Sequence, residues 1–102
     1  DMIKTGGENV PTREVEEAIY LEKRVQEVAV IGLPDPKWVE LVTAVVVLKP
    51  GETMTAEELI AHCRKELAAF KCPKKVFFVD ALPKTPTGKI LKREMRVSFK
   101  DK

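Results

Sequence analysis

The chain has 102 residues and a mass of 11.5 kDa, with 44% hydrophobic and 33% charged side chains, which suits one small core and leaves no room for two domains. No apolar run reaches the roughly 20 residues needed to span a bilayer, and no basic start leads into an apolar stretch as a secretory signal would, so the chain reads as soluble and cytoplasmic. Its net charge of +2 argues neither for nucleic acid nor for an acidic substrate, but residues 1–70 hold 8 basic and 13 acidic side chains while residues 71–102 hold 10 and 3, so the last third is expected to meet something anionic.

Met2 to Thr5 is a short extended piece that stops at Gly6-Gly7 and turns back toward Val10, a small N-terminal β-hairpin. Thr12 is placed to cap a helix over 12–23, whose first turn carries Glu14, Glu16 and Glu17 at the positive end of the helix, with Val15, Ala18 and Ile19 at helical spacing. The β-branched run over 25–33, ended by Pro34-Asp35-Pro36, predicts a buried strand. A second, valine-dominated strand follows over 41–48, and two neighbours joined by a loop of this length pair antiparallel. Thr55 and Glu58 match a capping box and Met54 can staple onto Leu59, so a second helix is expected from Thr55 to about residue 69, with Leu59, Ile60, Cys63 and Leu67 inward and His62, Arg64 and Lys65 toward solvent. A third strand over 76–79 precedes a loop rich in proline and threonine, and a basic helix is expected over 89–97. The fold class is therefore α+β: a small sheet of about three strands with packed helices, plus the N-terminal hairpin.

Few residues suggest chemistry on their own. Pro83-Lys84-Thr85-Pro86-Thr87-Gly88-Lys89 is a stiffened turn with a lysine at its tip, suited to a phosphate or carboxylate, though a solvated turn before a basic helix has the same pattern. It is not a Walker A loop, because Pro83 and Ile90 stand where a glycine and a Ser or Thr are required. Gly6-Gly7 fits a tight turn equally well, and Trp38 is either a lid on the core or a ligand wall. His62, the only histidine, has no acid-base partner in view. Cys63 and Cys72 lack metal-ligand companions and read as reduced thiols rather than a disulfide or zinc site.

Taken together and in order, the segments resemble the C-terminal domain of the adenylate-forming superfamily, which includes acyl- and aryl-CoA synthetases, nonribosomal adenylation domains and luciferase-type enzymes. The resemblance runs through Asp1-Met2-Ile3, Gly6-Gly7-Glu8-Asn9, Glu14-Val15-Glu16, Val28-Ala29-Val30-Ile31-Gly32, Pro34-Asp35, Trp38, Glu40, Leu67-Ala68, Lys71, Pro73-Lys74, Leu82-Pro83-Lys84-Thr85, Gly88-Lys89-Ile90-Leu91-Lys92 and Arg96, which is almost the whole chain. It is nearest to fatty acyl-CoA synthetases.

The resemblance implies a single lid domain over 1–102, following a large N-terminal domain and a hinge residue that would stand just before Asp1. It implies two-step chemistry in which a carboxylic acid and ATP give an acyl-adenylate and pyrophosphate, after which coenzyme A displaces AMP. Lys89 is similar to the family's adenylation lysine. Gly6, Gly7, Glu8, Trp38 and Phe70 match positions on the coenzyme A channel, with Lys71 and Lys74 as phosphate-binding cations beside Cys72, where some relatives carry arginine. Magnesium ligands, the ATP loop and the acyl pocket would lie in the large domain, so this chain alone is expected to catalyse nothing. The sequence departs from the family's Trp-Gly-Glu in having Trp38-Val39-Glu40, which predicts a slightly different loop. The rival readings are a non-catalytic module whose basic tail, Lys84 to Lys102, docks nucleic acid or an acidic partner, and the matching part of a nonribosomal adenylation domain.

Overall fold

The computed structural model describes residues 1–100; Asp101 and Lys102, the end of the basic tail, lie outside the described residues. The elements run β1 (Met2–Thr5), β2 (Glu8–Pro11), α1 (Thr12–Tyr20), β3 (Val25–Asp35), β4 (Val39–Leu48), α2 (Ala56–Glu66), a 3-10 turn (Ala69–Lys71), β5 (Lys75–Phe78) and α3 (Lys92–Phe99). None of the helices is long and apolar enough to cross a membrane.

The two valine-rich runs pair as an antiparallel ribbon from Val25↔Leu48 to Asp35↔Val39. β5 joins the other edge of β4 in parallel, Thr43↔Lys75 through Val46↔Phe78. The expected three strands and the N-terminal hairpin are all present, and the structure adds that they form one five-stranded sheet, in which β1 meets β4 at Thr5↔Val39.

Every residue from Val42 to Val47 is buried, a continuous apolar run rather than an alternating one, because both faces of the sheet are covered. One face packs Val28, Val30, Val42, Ala44 and Val46 against Val15 and Ile19 of α1 and Leu59 and Cys63 of α2. The other packs Ala29, Ile31, Leu33, Val45 and Val47 against Leu82, Met95 and Phe99, so α3 and the loop before it are seated on the sheet by apolar contacts.

The helices depart from expectation in instructive ways. The capping box of α2 is present, with Glu58 N donating to Thr55 Oγ1 at 3.1 Å and Thr55 N to Glu58 Oε1 at 2.8 Å. Thr12 does not cap α1. It is the first helical residue after Pro11, and its amide and hydroxyl both donate to the Asp1 carbonyl, at 3.0 and 3.4 Å. His62 is half-buried rather than solvated, with Nε2 2.8 Å from the Ala18 carbonyl oxygen, so it joins α2 to the last turn of α1. α3 begins at Lys92 instead of 89, because Lys89 and Ile90 stay in a hairpin with Lys84 and Thr85.

The basic last third does meet acids, and they are the chain's own. Lys71 pairs with Glu14 at 2.9 Å, Lys92 with Glu16 at 2.8 Å, Arg96 with Asp1 at 3.1 Å, and Lys84 with Glu27. Each pair ties a cation of the last third to an acid within the first 27 residues. The uneven charge along the sequence is in good part a means of closing the chain ends on each other.

Candidate functional site

Two separate features hold the expected site residues. The first is a groove at the closed end of the β3–β4 ribbon. Asp35 begins the turn there, its Oδ2 accepting the amides of Lys37 and Trp38, both at 2.9 Å, an Asx turn that fixes where the indole emerges. Gly6 N donates to the Trp38 carbonyl at 2.9 Å. Gly6 has φ +57°, and a Cβ there would lie 2.8 Å from Trp38 Cε3, so both the backbone conformation and the closeness of the indole require glycine.

Glu40 completes the junction. Its Oε1 accepts the Lys4 amide at 2.9 Å, in place of a strand partner, and its carboxylate lies where a Cβ on Gly32 would come within 2.8 Å. Gly32 thus makes the room in which Glu40 reaches across to β1. The sequence reading included Gly32 and Glu40 in the resemblance without this reason, and it missed the role of Asp35, although an Asp between two prolines is a readable turn signal.

The groove encloses about 270 Å³ and is lined by Thr5, Gly6, Glu8, Trp38, Ala69, Phe70 and Lys74. Five of the seven residues expected on the coenzyme A side are therefore gathered in one place from three distant stretches of chain. Lys74 Nζ stands 4.6 Å from the Trp38 ring centroid and Lys37 Nζ 5.3 Å, within cation–π range. Lys37 was not expected here. Thr5 lines the groove, but its hydroxyl is buried behind that lining, without a hydrogen-bond partner.

The other two expected residues stand apart. Gly7 has φ +85° with open space beside it and borders a neighbouring hollow with Lys4, Asn9 and Val39. Lys71 turns to Glu14, bonding both carboxylate oxygens at 2.9 Å, so its charge is already matched. Cys72 is buried with Sγ 3.6 Å from the Ala68 carbonyl; burial pushes its thiol pKa up and, more strongly, that of Cys63, to about 12. Both cysteines are free.

Val39 adopts φ +73°, the left-handed region that favours glycine. A β-branched residue in this region costs on the order of 1–2 kcal/mol. The chain accepts that strain because Thr5↔Val39 pairing and the Gly6 bond to Trp38 fix both sides of it.

The second feature is the loop that presents Lys89. Lys84 at its base pairs with Glu27, near the open end of the ribbon, while Trp38 lies just past the closed end. The strand between Glu27 and Asp35 spans roughly 25 Å at about 3.3 Å per residue. Lys89 is exposed, and among the described residues its ammonium has no acidic partner. No three His, Cys, Asp or Glu side chains converge as metal ligands among the described residues.

A domain with this sheet, a double-glycine hairpin against an indole and a lysine-tipped loop belongs to a defined class. The family profile of the AMP-binding enzyme C-terminal domain matches residues 14–89, and the chain belongs to that family. It is 48% identical over 99 residues to the long-chain-fatty-acid–CoA ligase FadD13 of Mycobacterium tuberculosis, which covers 97% of this chain and 20% of the relative. It is 50% identical over 99 residues to feruloyl-CoA synthase of Amycolatopsis sp, with the same coverage. Among solved structures, ATP-bound MatB from Rhodopseudomonas palustris superposes with a TM-score of 0.95 at 42% identity, covering 99% of this chain and 20% of that one. The chain thus spans about a fifth of the length of the relatives it matches.

Proposed function

We propose that the chain is the C-terminal lid of an ATP-dependent acyl-CoA ligase, joined in the intact enzyme to a large N-terminal domain that holds the carboxylate substrate, ATP and Mg2+. The reaction is carboxylate plus ATP to acyl-adenylate and pyrophosphate, then attack by the coenzyme A thiol on the acyl carbon with AMP as leaving group. The chain supplies one group to each step.

For adenylation, Lys89 brings a compact cation to two anions that repel, the carboxylate and the α-phosphate. Lys89, on an exposed loop and without an acidic partner among the described residues, is suited to this, whereas Lys71, Lys84 and Lys92 are committed to Glu14, Glu27 and Glu16. For thioester formation, the groove takes the thin pantetheine arm: Gly6 allows it to pass close to the backbone, Trp38 gives a flat wall, Phe70 meets the nucleotide end, and Glu8 and Lys74 line the sides. Lys71 and Gly7 belong to the surroundings of the groove rather than to its lining.

The observation that carries this reading is the separation of the two features along one rigid ribbon. A body that carries its groove at the closed end of the ribbon and its cation on a separate loop, rooted through Lys84 and Glu27 toward the other end, serves both steps at one centre by turning as a whole. The acid substrate is a fatty or related acyl chain; the relatives named above include both a long-chain-fatty-acid ligase and a feruloyl-CoA synthase, and the acyl pocket lies in the large domain. The alternative of a basic tail for nucleic acid loses its main support, because three of its cations, Lys84, Lys92 and Arg96, are paired within the fold.

The test is Lys89→Ala in the intact ligase with each half-reaction measured alone. Adenylation is expected to fall by about 10²–10³, the usual cost of one preorganised electrostatic contact, while thioester formation from supplied acyl-adenylate is unchanged. Equal loss in both steps overturns the assignment.

A further inference from the structure

Within the loop that presents Lys89, one side chain, Thr85, bonds the lysine's own backbone amide. Thr85 N donates to the Lys89 carbonyl at 2.8 Å and Gly88 N to the Thr85 carbonyl at 2.9 Å. The Thr85 hydroxyl accepts the Lys89 amide at 3.1 Å and shares a hydrogen bond with Thr87 Oγ1 at 2.9 Å. Pro86, Thr87, Gly88 and Lys89 are all exposed, so no packing fixes this stretch. Hydrogen bonds from Thr85 are the local restraint, and one of them is made at the nitrogen next to the Cα from which the lysine projects. The base is rooted separately, by the Lys84↔Ile90 bridge, the Leu91 N to Pro83 carbonyl bond at 2.9 Å and the Lys84–Glu27 pair.

We propose that Thr85 is a positioning residue for adenylation: its hydroxyl fixes the backbone of Lys89 and thereby the place the ammonium reaches. The inference rests on the assignment of Lys89 above and adds a residue that touches neither substrate. Removing the hydroxyl leaves the backbone bonds and the rooted base in place, so the loop persists, but the lysine's point of attachment is loosened. The loss falls on the step that uses Lys89 and on no other.

The experiment compares Thr85→Val, which keeps the shape and removes the hydroxyl, with Thr85→Ser, which restores it, in the intact ligase and in the Lys89→Ala background. Thr85→Val is expected to lower kcat for adenylation about tenfold, since misplacement of a reacting group by a fraction of an ångström to an ångström costs up to about 10². KM for ATP should stay within about twofold and thioester formation from supplied acyl-adenylate unchanged, with Thr85→Ser recovering most of the rate and no further loss in the Lys89→Ala background. In this chain, amide hydrogen exchange at Lys89 should speed up in Thr85→Val while that of the β4 core amides does not.

Unchanged adenylation in Thr85→Val, equal loss in both half-reactions, or failure of serine to rescue overturns the proposal. If Lys89→Ala itself retains adenylation, the assignment of Lys89 falls first and the proposal with it. If Lys89→Ala abolishes the step while Thr85→Val does not, the proposal alone falls.

Discussion

The groove and the loop are built on opposite principles. The groove is assembled by close packing of segments far apart in sequence: Gly6 against Trp38, Glu40 in the space over Gly32, and Phe70 and Lys74 brought in by the turn after α2. The loop is assembled by hydrogen bonds among residues 84–90 and carries its cation into solvent. In the proposed function, a groove for a long, thin ligand must exclude water, which demands close contact, whereas a cation that docks must be exposed beforehand, which forbids burial and leaves only local bonds to hold it. Substitutions in the groove should therefore act by steric contact, and those in the loop by position or charge.

The sharpest break of this contrast is a crossed pair. Gly6→Val drives a branched side chain into the indole at a residue with φ +57°, and thioester formation in the intact ligase is expected to fall by about 10², as displaced binding groups typically cost, with adenylation retained. Lys89→Ala should give the reverse pattern. Measuring the two half-reactions separately for each variant decides the matter, and the same pattern from both variants would mean the two features do not serve different steps.

A smaller effect concerns the strain beside the groove. Val39 sits at φ +73° with its side chain 66% exposed, so Val39→Gly relieves the left-handed strain and loses little burial. After the greater chain entropy of glycine in the unfolded state is offset, a gain of about 1 kcal/mol is expected. It should appear as a higher midpoint in urea unfolding with an unchanged slope, and a lower midpoint would show that the Val39 side chain contributes packing instead. The loop has no such reserve, since its one left-handed residue, Gly88, is already glycine.

The smallest expected response comes from the two buried thiols. Cys63 is buried and its pKa is raised from 9.0 to about 12, and burial raises that of Cys72 as well. Iodoacetamide at pH 8 should label neither in the native protein and both after denaturation. The sign for stability follows from the raised value. The unfolded thiols ionise near 9 and the folded ones resist, so their contribution is full below pH 9 and is lost as pH rises toward 12. Rapid native labelling would mean that the core shared by the sheet, α1 and α2 opens.

Periodicity and turn chemistry in the sequence were enough to place the ribbon, α2 with its cap, and the lysine-tipped turn, because each is governed by neighbours within a few residues. They misjudged Thr12, whose hydroxyl goes to Asp1 rather than to a helix amide, and the start of α3, which the loop's own hydrogen bonds delay. They also left the target of the basic last third open. Ion pairs between residues 57 or more apart in sequence leave no local trace.

The sequence by itself determined the strands, the helices and the lysine at position 89, since secondary structure and turn type depend on local sterics and on hydrogen bonds of short reach. Tertiary structure alone decided that Gly6, Trp38, Phe70 and Lys74 share one groove, that Lys71 is neutralised by Glu14 while Lys89 has no acidic partner among the described residues, and that Val39 bears the strain of the junction. Those outcomes depend on which surfaces meet when the two faces of the sheet are covered, and contact between residues remote in sequence is fixed by the packing of the whole domain.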